Sequence, residues 1–193
     1  MTPHLFASLS DRARYRLIAA CGVVILLLSA GSGLLPILDH GAGAAIVGRL
    51  LIAAGLTEIF AGALHRQARG LSMLAGLATA LAGLMIGFNP AANFSSTAMV
   101  VTGWLLVRGA ILMFAGLQSS GSARTWTLFS AAMDLFLAIV LVIGVSIATL
   151  VLTLFGPTSD VVAGFAWILA LSFVVTGSML LEIASCEKQS TQE

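Results

Sequence analysis

Three features of the sequence predict an all-α membrane protein built as a bundle of six transmembrane helices. Its composition is too poor in charge for a water-facing surface, its apolar segments reach spanning length six times, and its Lys and Arg residues fall on one side. Of the 193 residues, 59% are hydrophobic and only 9% charged, with a mean hydropathy of +1.07. A soluble domain carries about 25% charged residues. So small a supply cannot coat a surface with groups that face water, and most of the exterior is expected to meet lipid. The lipid bilayer is therefore the first partner. A net charge of +1 speaks against nucleic acid or an acidic partner.

The spans are expected at about 17–38, 42–64, 70–88, 97–118, 126–148 and 161–182, each near the roughly 20 residues that cross a hydrocarbon core. The first follows Arg12, Arg14 and Arg16. Its apolar run from Leu17 to Leu38 exceeds the roughly 7–15 residues of a signal-peptide core, so an uncleaved helix is expected. Breakers mark the next connections: Asp39-His40-Gly41, then His65 to Arg69, then Asn89-Pro90 onward to Ser96. Ser119 to Arg124 reads as a small polar turn. Helix five either runs past Ala148 and tilts or ends in an interfacial stretch, because the chain stays apolar to Phe155 before Gly156-Pro157. Residues 185–193 read as a polar cytoplasmic tail.

Alternate loops place Arg12, Arg14, Arg16, Arg66, Arg69, Arg124 and Lys188 on one side. The opposite loops hold no Lys or Arg and carry Asp39 and Asp160. By the positive-inside rule this places both termini in the cytoplasm, which an even number of spans requires. A loose internal repeat is also visible. Gly103-Trp104-Leu105-Leu106 with Gly116 matches Gly164-Phe165-Ala166-Trp167 with Gly177, and Gly55, Phe60 and Gly62 parallel Gly109, Phe114 and Gly116. Three parallel helical-hairpin repeats would produce that pattern. Gly55 and Gly62, like Gly109 and Gly116, stand seven apart on one helix face, where small residues let helices approach closely in lipid. They are read as packing positions rather than as a substrate path.

Chemistry, if present, must involve the charges inside spans: Arg49, Glu58, Arg108 and Asp134. An ionised group in hydrocarbon costs at least a few kcal/mol, so it pairs or reaches water. At about 1.5 Å per residue, Glu58, Arg108 and Asp134 lie roughly 10–15 Å from the basic side, on three different helices. A buried Arg108 flanked by Asp134 or Glu58 is the economical arrangement. It is read either as a structural ion pair or as a proton-responsive site. Arg49 lies in the outer half of its span, within snorkelling reach of water, and nine residues put it on the face opposite Glu58. Cys21 and Cys186 form no metal spacing and no disulfide framework, so no metal or other cofactor is expected. Neither a metalloprotease motif, nor a nucleophile elbow, nor a phosphate-binding loop occurs, and the chain is read as non-enzymatic.

Gly87-Phe88-Asn89-Pro90 closing an odd-numbered helix, Gly103-Trp104-Leu105-Leu106 opening the next, the Gly109, Phe114, Gly116 core and Arg124-Thr125-Trp126 before helix five together resemble the HdeD family of bacterial acid-resistance membrane proteins. The third hairpin departs from the pattern, with Val175 where the Phe would stand. The resemblance implies a small bacterial inner-membrane protein linked to survival at low pH. The leading expectation is a non-enzymatic protein of the acid-stress type acting through membrane or protein association, its partners being other proteins or further copies in a homo-oligomer. The resemblance supplies no catalytic residues. The alternative is a small transporter or channel for protons or another small solute. The topology is checked by cysteine labelling: Ser122→Cys should react only from the cytoplasmic side and Asn93→Cys only from outside, and labelling of Ser122→Cys from outside would overturn the assignment.

Overall fold

A computed structural model of the chain describes residues 11–33, 43–65, 68–88, 94–155 and 159–189. Among these residues the chain is all helical. It comprises α1 (Asp11–Gly33), α2 (Gly43–Leu64), α3 (Arg69–Gly87), α4 (Phe94–Gln118), α5 (Gly121–Phe155) and α6 (Ser159–Gln189). All six are long and apolar enough to cross a membrane, so the chain is a multi-pass membrane protein. The expected turns at Asp39-His40-Gly41 and Asn89-Pro90, together with Arg66 and residues 190–193, lie outside the described residues.

Helix bounds depart from the apolar segments in α1, α5 and α6. α1 begins at Asp11, six residues before the apolar run, because Asp11 to Arg16 can continue the helix into the polar interface. α5 begins at Gly121, so only Ser119 and Ser120 separate it from α4. Gly121 makes this turn with φ +62°, a left-handed conformation that costs a glycine little. α5 then stays helical to Phe155, and α6 continues through Ser185 to Gln189, into the segment expected as a polar tail. Helical hydrogen bonding does not stop where hydropathy falls.

Each helix packs on its neighbours in sequence, and α1 closes the ring against α6. The broadest contacts join α2 to α3, α4 to α5 and α6 to α1. They run between the expected hairpins rather than within them. Glycine explains these seams. A Cβ at Gly55 would stand 2.7 Å from the Gly76 carbonyl oxygen, one at Gly62 would stand 2.8 Å from the Met73 nitrogen, and one at Gly48 would stand 2.6 Å from the Gly87 nitrogen. The α2 and α3 backbones thus touch over four turns, running antiparallel. Gly109 and Gly116 of α4 meet the side chains of Leu135 and Leu128 of α5, and Gly177 of α6 meets Leu26 and Gly22 of α1. In lipid, where apolar side chains gain nothing by leaving solvent, such close packing drives association.

The exterior is what lipid requires. Large apolar side chains such as Leu27, Met85, Phe114 and Ile143 are exposed, whereas Glu58, Thr79, Arg108, Ser130, Asp134, Ser172 and Thr176 are buried. Several hydroxyls are satisfied locally: Thr57, Thr102, Thr127 and Ser119 donate to the carbonyl four residues back, whereas the buried Ser130 hydroxyl has no partner. At the basic end, Arg14 Nε donates to the Leu64 carbonyl at 2.7 Å, occupying an acceptor that the end of α2 leaves open. Near the C-terminal end of α1, Ser29 donates to the Ala170 carbonyl of α6 at 2.8 Å.

Two glycine substitutions separate packing from propensity. Gly55→Ala should destabilise the bundle by about 1–3 kcal/mol, because α2 and α3 must part. Gly103 is exposed with nothing within 4 Å of its would-be Cβ, so Gly103→Ala should be neutral or stabilising by up to about 1 kcal/mol. Thermal unfolding in a mild detergent reads both.

Candidate functional site

Arg108 sits on the inner face of α4, 1% exposed, and is the largest fully buried side chain among the described residues. Three other helices converge on it. Its Nη2 lies 3.0 Å from Glu58 Oε1 of α2 and its Nε 3.4 Å from Glu58 Oε2, a two-pronged contact. Its Nη1 donates to Asp134 Oδ2 of α5, and Nη2 donates to Thr176 Oγ1 of α6 at 2.7 Å. Four of its five N–H groups are thereby engaged.

A second ring of polar groups holds the carboxylates. Ser172 Oγ donates to Asp134 Oδ1 at 2.8 Å, and the hydroxyl of Thr176 donates to the Ser172 carbonyl at 2.8 Å. Thr79 Oγ1 of α3 stands 3.2 Å from Glu58 Oε2 and accepts a hydrogen bond from Trp104 Nε1 at 3.0 Å. Trp104 also lays its ring 5.9 Å from the Arg108 guanidinium carbon, a cation–π contact, and meets Phe173 edge-on. Helices α2 to α6 therefore share one polar knot at the bundle axis. Outside water the alternative for each member is an unsatisfied charge or dipole, which makes the knot a strong constraint on packing.

A small cavity opens beside this knot on the side of the basic end. It has a volume of about 20 Å³, room for a single water. Glu58 and Arg108 line one end, and His65 and Ser72 line it too. His65 follows the last residue of α2, 9% exposed. Its Nδ1 lies 3.5 Å from Ser72 Oγ, while its Nε2 is buried with no hydrogen-bond partner. Burial, and secondarily the charge of Arg14, push the imidazole down from its ordinary 6.5 to about 4. The ring is thus neutral at pH 7. Its unfolded counterpart binds a proton more readily, so this group costs stability as pH falls from about 6.5 through 4.

No protein-family model, curated relative or solved structure matches the chain. The site's chemistry has to be read from its own geometry.

Of the four charges singled out within spans, the structure brings together Glu58, Arg108 and Asp134. Arg49 is exposed on α2, away from the knot. Gly55, Gly62, Gly109 and Gly116 all sit at helix seams. Sequence reasoning missed Thr79, Trp104, Ser172 and Thr176. One signal could have found the last two: in α6 they stand four apart, so they share a face, and that face carries no other polar group between Ile168 and Ser178. It also missed His65, which sits at a helix end and reads as a turn residue. Among the described residues, no three His, Cys, Asp or Glu side chains gather as metal ligands, and Cys21 and Cys186 are both free thiols.

The knot makes a thermodynamic prediction. Arg108→Met should destabilise the bundle by about 3–5 kcal/mol, because it strands buried carboxylates. Arg108→Met combined with Asp134→Asn should recover much of that loss. Equal destabilisation of the single and double variants in denaturant titrations would show that the pairing contributes nothing.

Proposed function

We propose that this chain is a non-enzymatic inner-membrane protein that contributes to bacterial survival in acid and acts by association with lipid or with other proteins. The resemblance to the HdeD family supports the setting. One observation supports the mode of action: the guanidinium of Arg108 is engaged on Glu58, Asp134 and Thr176, and the cavity beside it takes a single water. An arrangement of that kind suits a locked bundle whose outward faces do the work. The basic end, with Arg12, Arg14, Arg16, Arg69, Arg124 and Lys188, is assigned to the cytoplasm on the positive-inside rule.

A second reading, a small transporter or channel for protons or another small solute, is favoured by the same cavity in a different respect. It reaches the intramembrane charges Glu58 and Arg108 from His65 at the basic end. Transport would require a continuation past Arg108 toward the other face, formed in a second conformation.

A deletion strain tests the proposal. It should survive acid challenge less well than its parent and grow normally at neutral pH, and the intact gene should restore survival. Complementation with Asp134→Asn or Glu58→Gln then separates the readings. Restoration by both variants, at equal protein levels, fits the locked bundle, whereas failure of either points to a pH-responsive or transport role. A deletion strain with parental acid survival would overturn the assignment.

A further inference from the structure

Arg108 has its charge met inside the bundle, whereas Arg49 does not. Arg49 is exposed on α2, and among the described residues no hydrogen bond or ion pair reaches it. An arginine keeps its charge in every setting a protein offers. Left in hydrocarbon that charge costs at least a few kcal/mol, so its acceptor has to come from outside the described helices.

The place of Arg49 on α2 narrows the choice of acceptor. A Cβ at Gly48 would meet Gly83 and Gly87, which puts Gly48 on the α3 seam, and Arg49 lies about 100° round the helix from it. The buried positions Val47, Leu51, Ala54 and Glu58 fall on the opposite side of α2. Leu56, 59% exposed, shares the outer side with Arg49 and stands seven residues, about 10 Å, further along. It follows Gly55 as Arg49 follows Gly48. On α3, Leu77 and Leu84 follow the seam residues Gly76 and Gly83 in the same way, and they are 44% and 40% exposed. All four side chains thus belong to one lipid-facing side of the α2–α3 pair.

Direction completes the picture. α2 ends at Leu64, whose carbonyl accepts from Arg14 at the basic end, so its first residue, Gly43, lies at the opposite end. Arg49 is six residues, about 9 Å, from that start. Cα–Cβ bonds tilt toward a helix's N-terminus, so the stem of Arg49 leaves the backbone toward the interface opposite the basic end and away from Leu56. Snorkelling carries the guanidinium further the same way. A cation at headgroup level above an apolar face matches a phospholipid, with its phosphate above and its acyl chains below. Water is a poorer match, because a guanidinium is weakly hydrated and its planar fork fits two phosphate oxygens at once. A zwitterionic headgroup already balances its phosphate with an ammonium, whereas an anionic one offers its full charge to Arg49.

We propose that Arg49 binds the phosphate of an anionic phospholipid in the leaflet opposite the basic end, with the acyl chains lying along Leu56, Leu77 and Leu84. That lipid is a ligand of the α2–α3 pair rather than part of its solvent. The assignment rests on the chain being a multi-pass membrane protein, and it stands whether or not the protein affects acid survival.

Solid-state NMR of the full chain, ¹³C-labelled at the arginine guanidinium carbons, in phosphatidylglycerol nanodiscs tests the contact. Recoupling to ³¹P should place one of those carbons at the roughly 4 Å of a forked guanidinium–phosphate contact. That signal should disappear in Arg49→Lys, which keeps the charge and removes the labelled carbon. Thermal unfolding in detergent tests the preference. Phosphatidylglycerol should raise the melting temperature of the wild-type chain more than phosphatidylcholine with the same acyl chains does. Arg49→Gln should weaken the apparent affinity for phosphatidylglycerol about tenfold, and Arg124→Gln, at an exposed position of the basic end, should leave it near the wild-type value. Recoupling that is the same in the wild type and in Arg49→Lys would overturn the proposal, because the Arg49 charge would then be met by water or by a carboxylate. Equal stabilisation by the two lipids, or an equal loss in Arg124→Gln and Arg49→Gln, would overturn it as well.

Discussion

A guanidinium has to be held at the centre of a bundle that lipid surrounds, and the rest of this structure is arranged around that requirement. Arg108 cannot be neutralised by losing a proton, so its charge must be met where it lies. Glu58, Asp134 and Thr176 meet it from three other helices, and Thr79, Trp104 and Ser172 orient those partners. Five helices are thereby tied at one level of the bundle. Rotation of any one of them would leave a charge or hydroxyl facing hydrocarbon, at a cost of at least a few kcal/mol. Apolar packing alone discriminates poorly among rotations when every face is greasy, and the knot supplies the register.

Glycine makes this convergence sterically attainable. Side chains of Glu58 and Thr79 can meet across α2 and α3 because Gly55, Gly62 and Gly76 bring those backbones into contact. Gly109, next to Arg108 in sequence, lets α5 close on α4, and Asp134 then lies within reach of Arg108. At Gly177, next to Thr176, α1 and α6 approach in the same way, which seats Thr176 against the guanidinium. Packing and electrostatics are coupled residue by residue: Gly55, Gly76, Gly109 and Gly177 each stand within three positions of a member of the knot.

Much of this was legible in the sequence because membrane insertion is a harsh filter. Six apolar segments, the one-sided basic residues and the matched depths of Glu58, Arg108 and Asp134 all follow from the cost of placing charge in lipid. The neutral partners were not legible. A Thr or Ser in a membrane helix usually satisfies itself on the carbonyl one turn back, as Thr57 and Thr102 do, so Thr79 carried no visible sign of a longer reach, and Ser172 and Thr176 offered only their shared, otherwise apolar face. Helix ends were blurred for a related reason. Asp11 to Arg16 and Ser185 to Gln189 are polar enough to leave the membrane yet continue the helices that begin or end in it. Partner choice between helices was also hidden. Loop connectivity suggested hairpins, whereas glycine positions set the tighter seams of α2 with α3, α4 with α5 and α6 with α1.

The functional reading follows from how completely the knot is enclosed. A bundle tied at its axis presents apolar faces to lipid. His65 and the water-sized cavity approach the knot from the basic end. The measurement that bears most directly on the central claim is an experimental structure of the full chain in a lipid bilayer. The account predicts the Arg108 guanidinium buried at the axis, within hydrogen-bonding distance of both Glu58 and Asp134. An Arg108 facing lipid, or one lining a continuous water passage with neither carboxylate in reach, would contradict it.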